Sequence, residues 1–230
     1  MSKLFPIGIQ NFESLRQDGY MYVDKTALIY ALVKTGRYYF LSRPRRFGKS
    51  LLISTLRAYF EGKRELFGGL AIERLEEDWQ AHPILHIDLN TEKYDTPQSL
   101  ESILNFTLGE WEQLYSTDPS EVSLALRFRG IVKRACEQTG KRVVILVDEY
   151  DKPMLQAIGN EELQQSFRTT LKPFYGVLKT MDAYIKFALL TGVTKFGKVS
   201  VFSDLNNLND ISMDERYVEL CGMTEQEIHR

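Results

Sequence analysis

Compact apolar runs alternate along this chain with stretches in which apolar residues recur every third or fourth position. Tyr38 to Leu41, Ile84 to Leu89, Val143 to Val147 and Ile185 to Val193 read as strands buried within a sheet. Helical spacing appears from Ala27 to Lys34, with Leu28, Ile29, Leu32 and Val33 on one face, Asp24 or Thr26 as cap and Gly36 as stop. It recurs in Leu51, Leu52, Thr55, Leu56, Tyr59 and Phe60, ending near Gly62. A long helix starts at Asp95-Thr96-Pro97 and runs to Tyr115, and a further one spans Ser120 to Thr139 and closes at Gly140. Glu161 to Asp182 is helical in character, with an interruption expected near Pro173 to Gly176.

Weaker patterns give weaker elements. Met1 to Asp18 reads as irregular to weakly helical, Tyr20 to Val23 as a short strand, and Glu73 to Asp78 as a surface helix or turn. Residues 194–210, rich in Gly, Ser, Asn and Asp, read as a long functional loop. Alternation of buried strands with helices predicts an α/β fold of three layers, a mainly parallel sheet covered on both faces. Strand tips at Leu41, Leu89, Val147 and Leu190 would line the edge where such sheets bind ligands.

One of those tips carries chemistry. The strand ending at Leu41 runs through Ser42-Arg43-Pro44-Arg45-Arg46-Phe47 into Gly48-Lys49-Ser50 and then a helix. Strand, loop, Gly-Lys-Ser, helix is the arrangement of a phosphate-binding loop: backbone N–H groups face the anion, the lysine reaches the outer phosphates, and the serine hydroxyl ligates magnesium. The backbone of Phe47, Gly48, Lys49, Ser50 and Leu51 is the expected phosphate cradle, a Walker A site for ATP. The standard pattern has a glycine where Arg43 stands, so the loop must turn without one there.

A second tip supports the first. Val143 to Val147 ends in Asp148-Glu149-Tyr150-Asp151. In this Walker B position Asp148 would hold Mg2+ together with Ser50, and Glu149 would act as general base toward a water attacking the γ-phosphate. A solvated turn is the plain alternative for an Asp-Glu pair, and the phosphate loop weighs against it.

Bulk composition changes the picture little. The 230 residues are 43% hydrophobic and 26% charged, ordinary for one good-sized domain, or one plus the start of another. A net charge of −2 advertises no nucleic-acid field. Cys136 and Cys221 match no metal spacing, His82, His86 and His229 do not cluster with them, and a structural zinc is not expected. Neither a signal segment nor a membrane-spanning run stands out, so a cytoplasmic home without membrane contact is expected by default.

Several motifs together resemble a known family. Phe5-Pro6-Ile7-Gly8, Tyr22 to Thr26, Arg43 to Ser50, Val147 to Pro153, Leu190 to Val193, Phe202 to Leu208 and Gly222-Met223-Thr224 are similar, nearly end to end and in order, to the predicted AAA-ATPase-like family of bacterial proteins. Arg43 in place of glycine is that family's own habit. The resemblance implies a P-loop NTPase fold of the ASCE type, with a strand inserted between the phosphate-loop and acidic strands. It also implies a domain over residues 1–212, with residues 213–230 beginning a C-terminal region otherwise absent here. In longer members that region is a nuclease-like domain of the PD-(D/E)XK type, through which nucleic acid would be a partner.

Other residues carry open alternatives. Arg45 and Arg46 either neutralise phosphate charge in cis or form a solvated basic loop, paired with Asp148, Glu149 or Asp151. Asp151 is a third carboxylate near the metal or a support for the turn before Pro153. Thr191 stands where ASCE enzymes place a polar sensor of the γ-phosphate; a strand-end hydroxyl satisfying backbone is the alternative. Lys195, Lys198 and Asn206 to Asn209 would respond to nucleotide or contact a partner, Tyr22-Val23-Asp24 would sit near the base, and Trp79 and Trp111 read as packing. The expected function is a magnesium-dependent, ATP-hydrolysing protein whose nucleotide state regulates an effector domain. A non-hydrolysing platform for nucleotide, nucleic acid or protein is the alternative, a P-loop kinase is weaker, and homo-oligomerisation is left open.

Overall fold

The computed structural model describes residues 4–195, 201, 205 and 207–228. Five strands form one sheet in the order β2-β3-β4-β1-β5: β1 Tyr38–Ser42, β2 Ile84–Asp88, β3 Val143–Asp148, β4 Ile185–Gly192 and β5 Asn209–Asp210. Every pairing is parallel. β4 lies between β1 and β3, the inserted strand that the family resemblance implies.

The sheet divides the core into two clusters because side chains alternate across a strand. Phe40, Ile145, Val147, Ala188 and Leu190 face one layer, formed by α4 Pro97–Tyr115, α5 Leu124–Thr139, α6 Lys152–Gln156 and α7 Glu161–Thr180. Tyr39, Leu41, Val144, Leu146 and Leu189 face the other, formed by α1 Phe12–Gln17, α2 Thr26–Thr35 and α3 Lys49–Phe60. This is the expected three-layer α/β/α fold. The second cluster also takes in Ile211, Tyr217, Leu220 and Cys221, so chain beyond β5 packs into the same core. The last helix, α8, is Glu225–Ile228. Among the described residues no helix is long and apolar enough to cross a membrane.

Four local expectations are corrected. Tyr20 to Val23 forms no strand: Met21 N–H donates to the Leu4 carbonyl at 2.8 Å, but no ladder continues from it. α7 is not interrupted at Pro173. Pro173 lies on the exposed side, and the stripe of Phe167, Leu171, Phe174 and Leu178 is buried across it, so packing overrides the missing N–H. The helix expected from Ser120 starts at Leu124, where the Ser123 hydroxyl accepts from Leu126 N–H at 3.2 Å. Asn209–Asp210, read as loop, is the fifth strand, paired with Tyr39 and Phe40.

Of Glu73 to Asp78, only Glu73 and Arg74 fall in a 3-10 turn, Ala71–Arg74, and Glu76 beyond it is buried rather than solvated. Its carboxylate accepts from the Tyr59 hydroxyl and from Asp78 N–H at 3.0 Å, and pairs with Lys34 at 2.8 Å. Burial opposes ionisation, yet these partners together hold the Glu76 carboxyl below its ordinary value of 4.5. A lowered carboxyl contributes stability that is present above the unfolded value and lost as pH falls through the folded one. Glu76→Gln should therefore cost about 2 kcal/mol at neutral pH, discounted because Lys34 is half-exposed. Urea titrations should show the gap to wild type closing as pH falls below 4.5.

Candidate nucleotide-binding site

The site forms where β1, β3 and β4 end. Arg43 does not turn the chain. Its N–H donates to the Gly192 carbonyl at 3.0 Å, extending the β1–β4 ladder by one residue. The turn falls later, at Arg46 with φ 66° and Gly48 with φ 81°. This is how the loop dispenses with the first glycine. Gly48 is also the N-cap of α3, with no side chain capping that helix start. The N–H groups of the first turn are thus open to an anion.

Lys49 is buried at 4% exposure, and its ammonium is fully engaged. Nζ donates to the Arg43 and Pro44 carbonyls at 3.1 and 3.2 Å and pairs with Glu149 at 3.2 Å. Three donors meet three acceptors. Glu149 itself adopts φ 55°, a left-handed conformation that a non-glycine residue holds only under constraint. Burial pushes its carboxyl above the usual carboxylate range; Lys49 opposes the rise, while Asp148 and Asp151 add to it.

Asp148, 5% exposed at the tip of β3, receives two hydroxyls. Ser50 donates to Oδ2 at 2.7 Å and Thr191 to Oδ1 at 2.6 Å. The two expected metal ligands, Ser50 and Asp148, are therefore in contact. Thr191, 0% exposed, is turned to Asp148 rather than toward open space. Asp151 is fully buried and accepts from Val193 N–H and from both N–H and hydroxyl of Thr194, the latter two at 2.7 and 2.9 Å. It fastens the segment after β4.

A cavity of about 930 Å³ opens beside Lys49, Ser50 and Glu149. Arg45, Arg46 and the run Gly48 to Leu51 line one side, and Glu149, Lys152 and Leu155 line another. Arg45 and Arg46 are exposed and make no hydrogen bond or ion pair among the described residues, so the pairing with Asp148, Glu149 or Asp151 does not occur. Phe47 is 46% exposed. Arg43 points away from the cavity, toward the backbone of Ser212 and Tyr217.

Tyr22 to Asp24, expected near the base, do not line this cavity. Tyr22 packs edge-on against Phe12 at 5.1 Å, and the Asp24 carboxylate accepts from Thr26 and Ala71 N–H groups. Ile7 to Gln10 lines the cavity instead. The sequence motif Phe5-Pro6-Ile7-Gly8 covers part of this wall without a role having been read from it, and Gly8 takes φ 76°. Lys195 pairs with Asp210 at 3.1 Å and Asn209 belongs to β5, so neither faces the site. Lys198, Asn206 and Phe202 to Asp204 lie outside the described residues.

Comparison with known proteins gives two findings. A family model described as Predicted AAA-ATPase matches residues 6–202. The chain is also 44% identical over 228 residues to a protein of Azotobacter chroococcum mcd 1 whose name is "Uncharacterized protein in vnfD 5'region". That match covers 98% of this chain and 44% of the relative, so the chain spans less than half of the relative's length.

Asp151 offers a test of structure apart from chemistry. Asp151→Asn should lose the charge-assisted bonds to Val193 and Thr194 and cost about 2 kcal/mol, lowering the melting temperature by about 4–8 °C. Differential scanning calorimetry would measure it; an unchanged midpoint would show that the buried carboxylate holds nothing.

Proposed function

We propose that this chain, which belongs to the Predicted AAA-ATPase family, binds ATP with magnesium at the loop of Arg45 to Leu51 and hydrolyses it. Membership suggests nucleotide binding; the residue roles are our reading of the geometry. The single observation that carries it is the Lys49 ammonium, buried, shared between two loop carbonyls and Glu149, at an uncapped helix start.

The donor set fits the ligands. Hydroxyl and carboxylate oxygens from Ser50 and Asp148 suit a hard divalent cation such as magnesium, which binds through few protein oxygens plus phosphate and water. When bound, the metal would supply electrostatic neutralisation of developing phosphate charge. Thr191 keeps one oxygen of Asp148 occupied and so orients the other toward Ser50. Backbone N–H groups from Phe47 to Leu51 would hold phosphate oxygens, and Arg45 and Arg46, without partners among the described residues, are available to the outer charges.

Lys49 and Glu149 form an exchange pair. Lys49 can keep its two loop carbonyls and turn its third donor from Glu149 to a phosphate oxygen. Glu149 then loses its cation and becomes an acceptor for a proton from water. A carboxyl already raised by burial is a better base than an ordinary one. Pairing before binding and release on binding would keep the base idle in an empty site. Regulation of an effector region by nucleotide state rests on the family resemblance alone.

Two variants test this. Lys49→Ala should abolish saturable Mg-ATP binding in calorimetry. Glu149→Gln should retain binding while turnover falls by about 10²–10⁴-fold; turnover at wild-type level would remove Glu149 from the chemistry. The pH dependence follows from the raised carboxyl. Protonation on the acid side removes the base, so kcat/KM should fall as pH drops through a value above 4.5. That limb should be missing from the residual activity of Glu149→Gln.

A further inference from the structure

Given nucleotide binding at this loop, as proposed above, we infer that Arg43 is a positioning residue of the phosphate site. We also infer that the segment 211–222, a strap crossing β1, is what it positions the loop against. Occupancy of the site and order in the strap are then linked.

Arg43 is tied at three points, each to a different part of the site. Its N–H is held by Gly192 at the tip of β4. Its carbonyl is one of the two that aim Lys49. Its guanidinium donates to the Ser212 carbonyl and reaches the Tyr217 carbonyl at 3.4 Å. Glycine at this position would supply the first two contacts and not the third. An arginine in the loop is commonly a ligand for phosphate, but here both terminal nitrogens turn to backbone carbonyls, of Ser42 in β1 and of Ser212 and Tyr217 in the strap.

The strap is well anchored elsewhere. Ile211 N–H donates to the Phe40 carbonyl at 2.9 Å, and the Ser212 hydroxyl accepts from Ser42 N–H at 2.9 Å. The Tyr217 hydroxyl lies 3.0 Å from that of Thr35, and the Tyr217 ring is buried. The far end of the strap also approaches the loop. Gly222 adopts φ 84°, and a Cβ there would lie 3.3 Å from the Phe47 ring. The phosphate loop is thus tied at its first residue by Ser212 and Tyr217, and its Phe47 ring lies beside Gly222.

This arrangement gives the loop an outer wall that a glycine-started loop lacks. Fixing the Arg43 carbonyl fixes the aim of Lys49, so disorder in the strap should loosen phosphate contacts. By reciprocity, nucleotide that orders the loop should order the strap by the same factor. A strap so coupled can pass the state of the site to whatever chain or partner engages it.

Hydrogen exchange of the full chain, with and without saturating Mg-ATP, tests the link. In the wild type, Mg-ATP should slow exchange of amides in 211–222 by about 5–10-fold. In Arg43→Ala that response should vanish and the Kd for Mg-ATP, measured by calorimetry, should rise about 10-fold. A purely structural arginine would leave the Kd and the nucleotide response unchanged even if the strap exchanged faster throughout. Should Arg43→Ala fail to fold, Gly222→Ala carries the same test from the strap side, with weaker binding and loss of the response expected. Mg-ATP bound by the wild type with no change in the strap would overturn the coupling and leave the nucleotide site standing. No binding at all by the wild type would overturn the site, and the coupling with it.

Discussion

A carboxylate buried at the end of a strand is the constraint on which this site depends. Asp148 closes β3, whose residues are buried on both faces, and an unpaired charge there would be costly. The fold meets the cost with hydroxyls from two other elements, Ser50 from the start of α3 and Thr191 from β4. Satisfying one carboxylate therefore sets the distance between the Gly-Lys-Ser loop, the acidic strand and the strand between them. The parallel register fixes the same three parts, since Val147 is paired with Leu190, and Leu41 with Thr191. Sheet and site are specified by one set of contacts.

Much of this was legible because its signals are local. Val143 to Val147 is an unbroken apolar run, and only a central strand buries both faces. The Gly-Lys-Ser helix start and the Asp-Glu strand tip each carry their chemistry in adjacent residues. What stayed hidden depends on partners distant in sequence. Tyr20 to Val23 has the composition of a strand, but no neighbouring edge receives it. Pro173 has the composition of a break, but Phe174 stacks on Phe128 at a centroid distance of 4.6 Å and holds the helix in place. Asn209 and Asp210 have no strand propensity at all; the exposed edge of β1 makes them one.

The same division runs through the site. Residue types suited to phosphate and magnesium could be read from spacing, whereas the partner of each side chain could not. Lys49 bonded to Glu149, Thr191 turned to Asp148, and Asp151 given over to the loop after β4 are all choices among several acceptors in reach. Arg43 is the sharpest case. As a sequence feature it counted against the loop, since a bulky cation stood where a glycine was wanted. In the fold its backbone simply prolongs β1, and its side chain leaves the cavity altogether.

Moving the turn away from Arg43 has a consequence for strain. The left-handed conformations that a leading glycine would absorb fall instead on Arg46, at φ 66°, and across the cavity Glu149 takes φ 55°. Apart from Ser116, these are the non-glycine residues with positive φ among those described, and both line the one cavity. Each costs on the order of 1 kcal/mol or more and persists only where surroundings over-determine it. For Glu149 those surroundings are the Lys49 pair and the bond from Tyr150 N–H to the Thr191 carbonyl at 2.9 Å. For Arg46 they are the fixed ends of its loop, with β1 and Arg43 before it and α3 after it. Strain is thus held at two points of a ligand-sized cavity, and under the proposed reading a bound phosphate would alter the contacts that hold it.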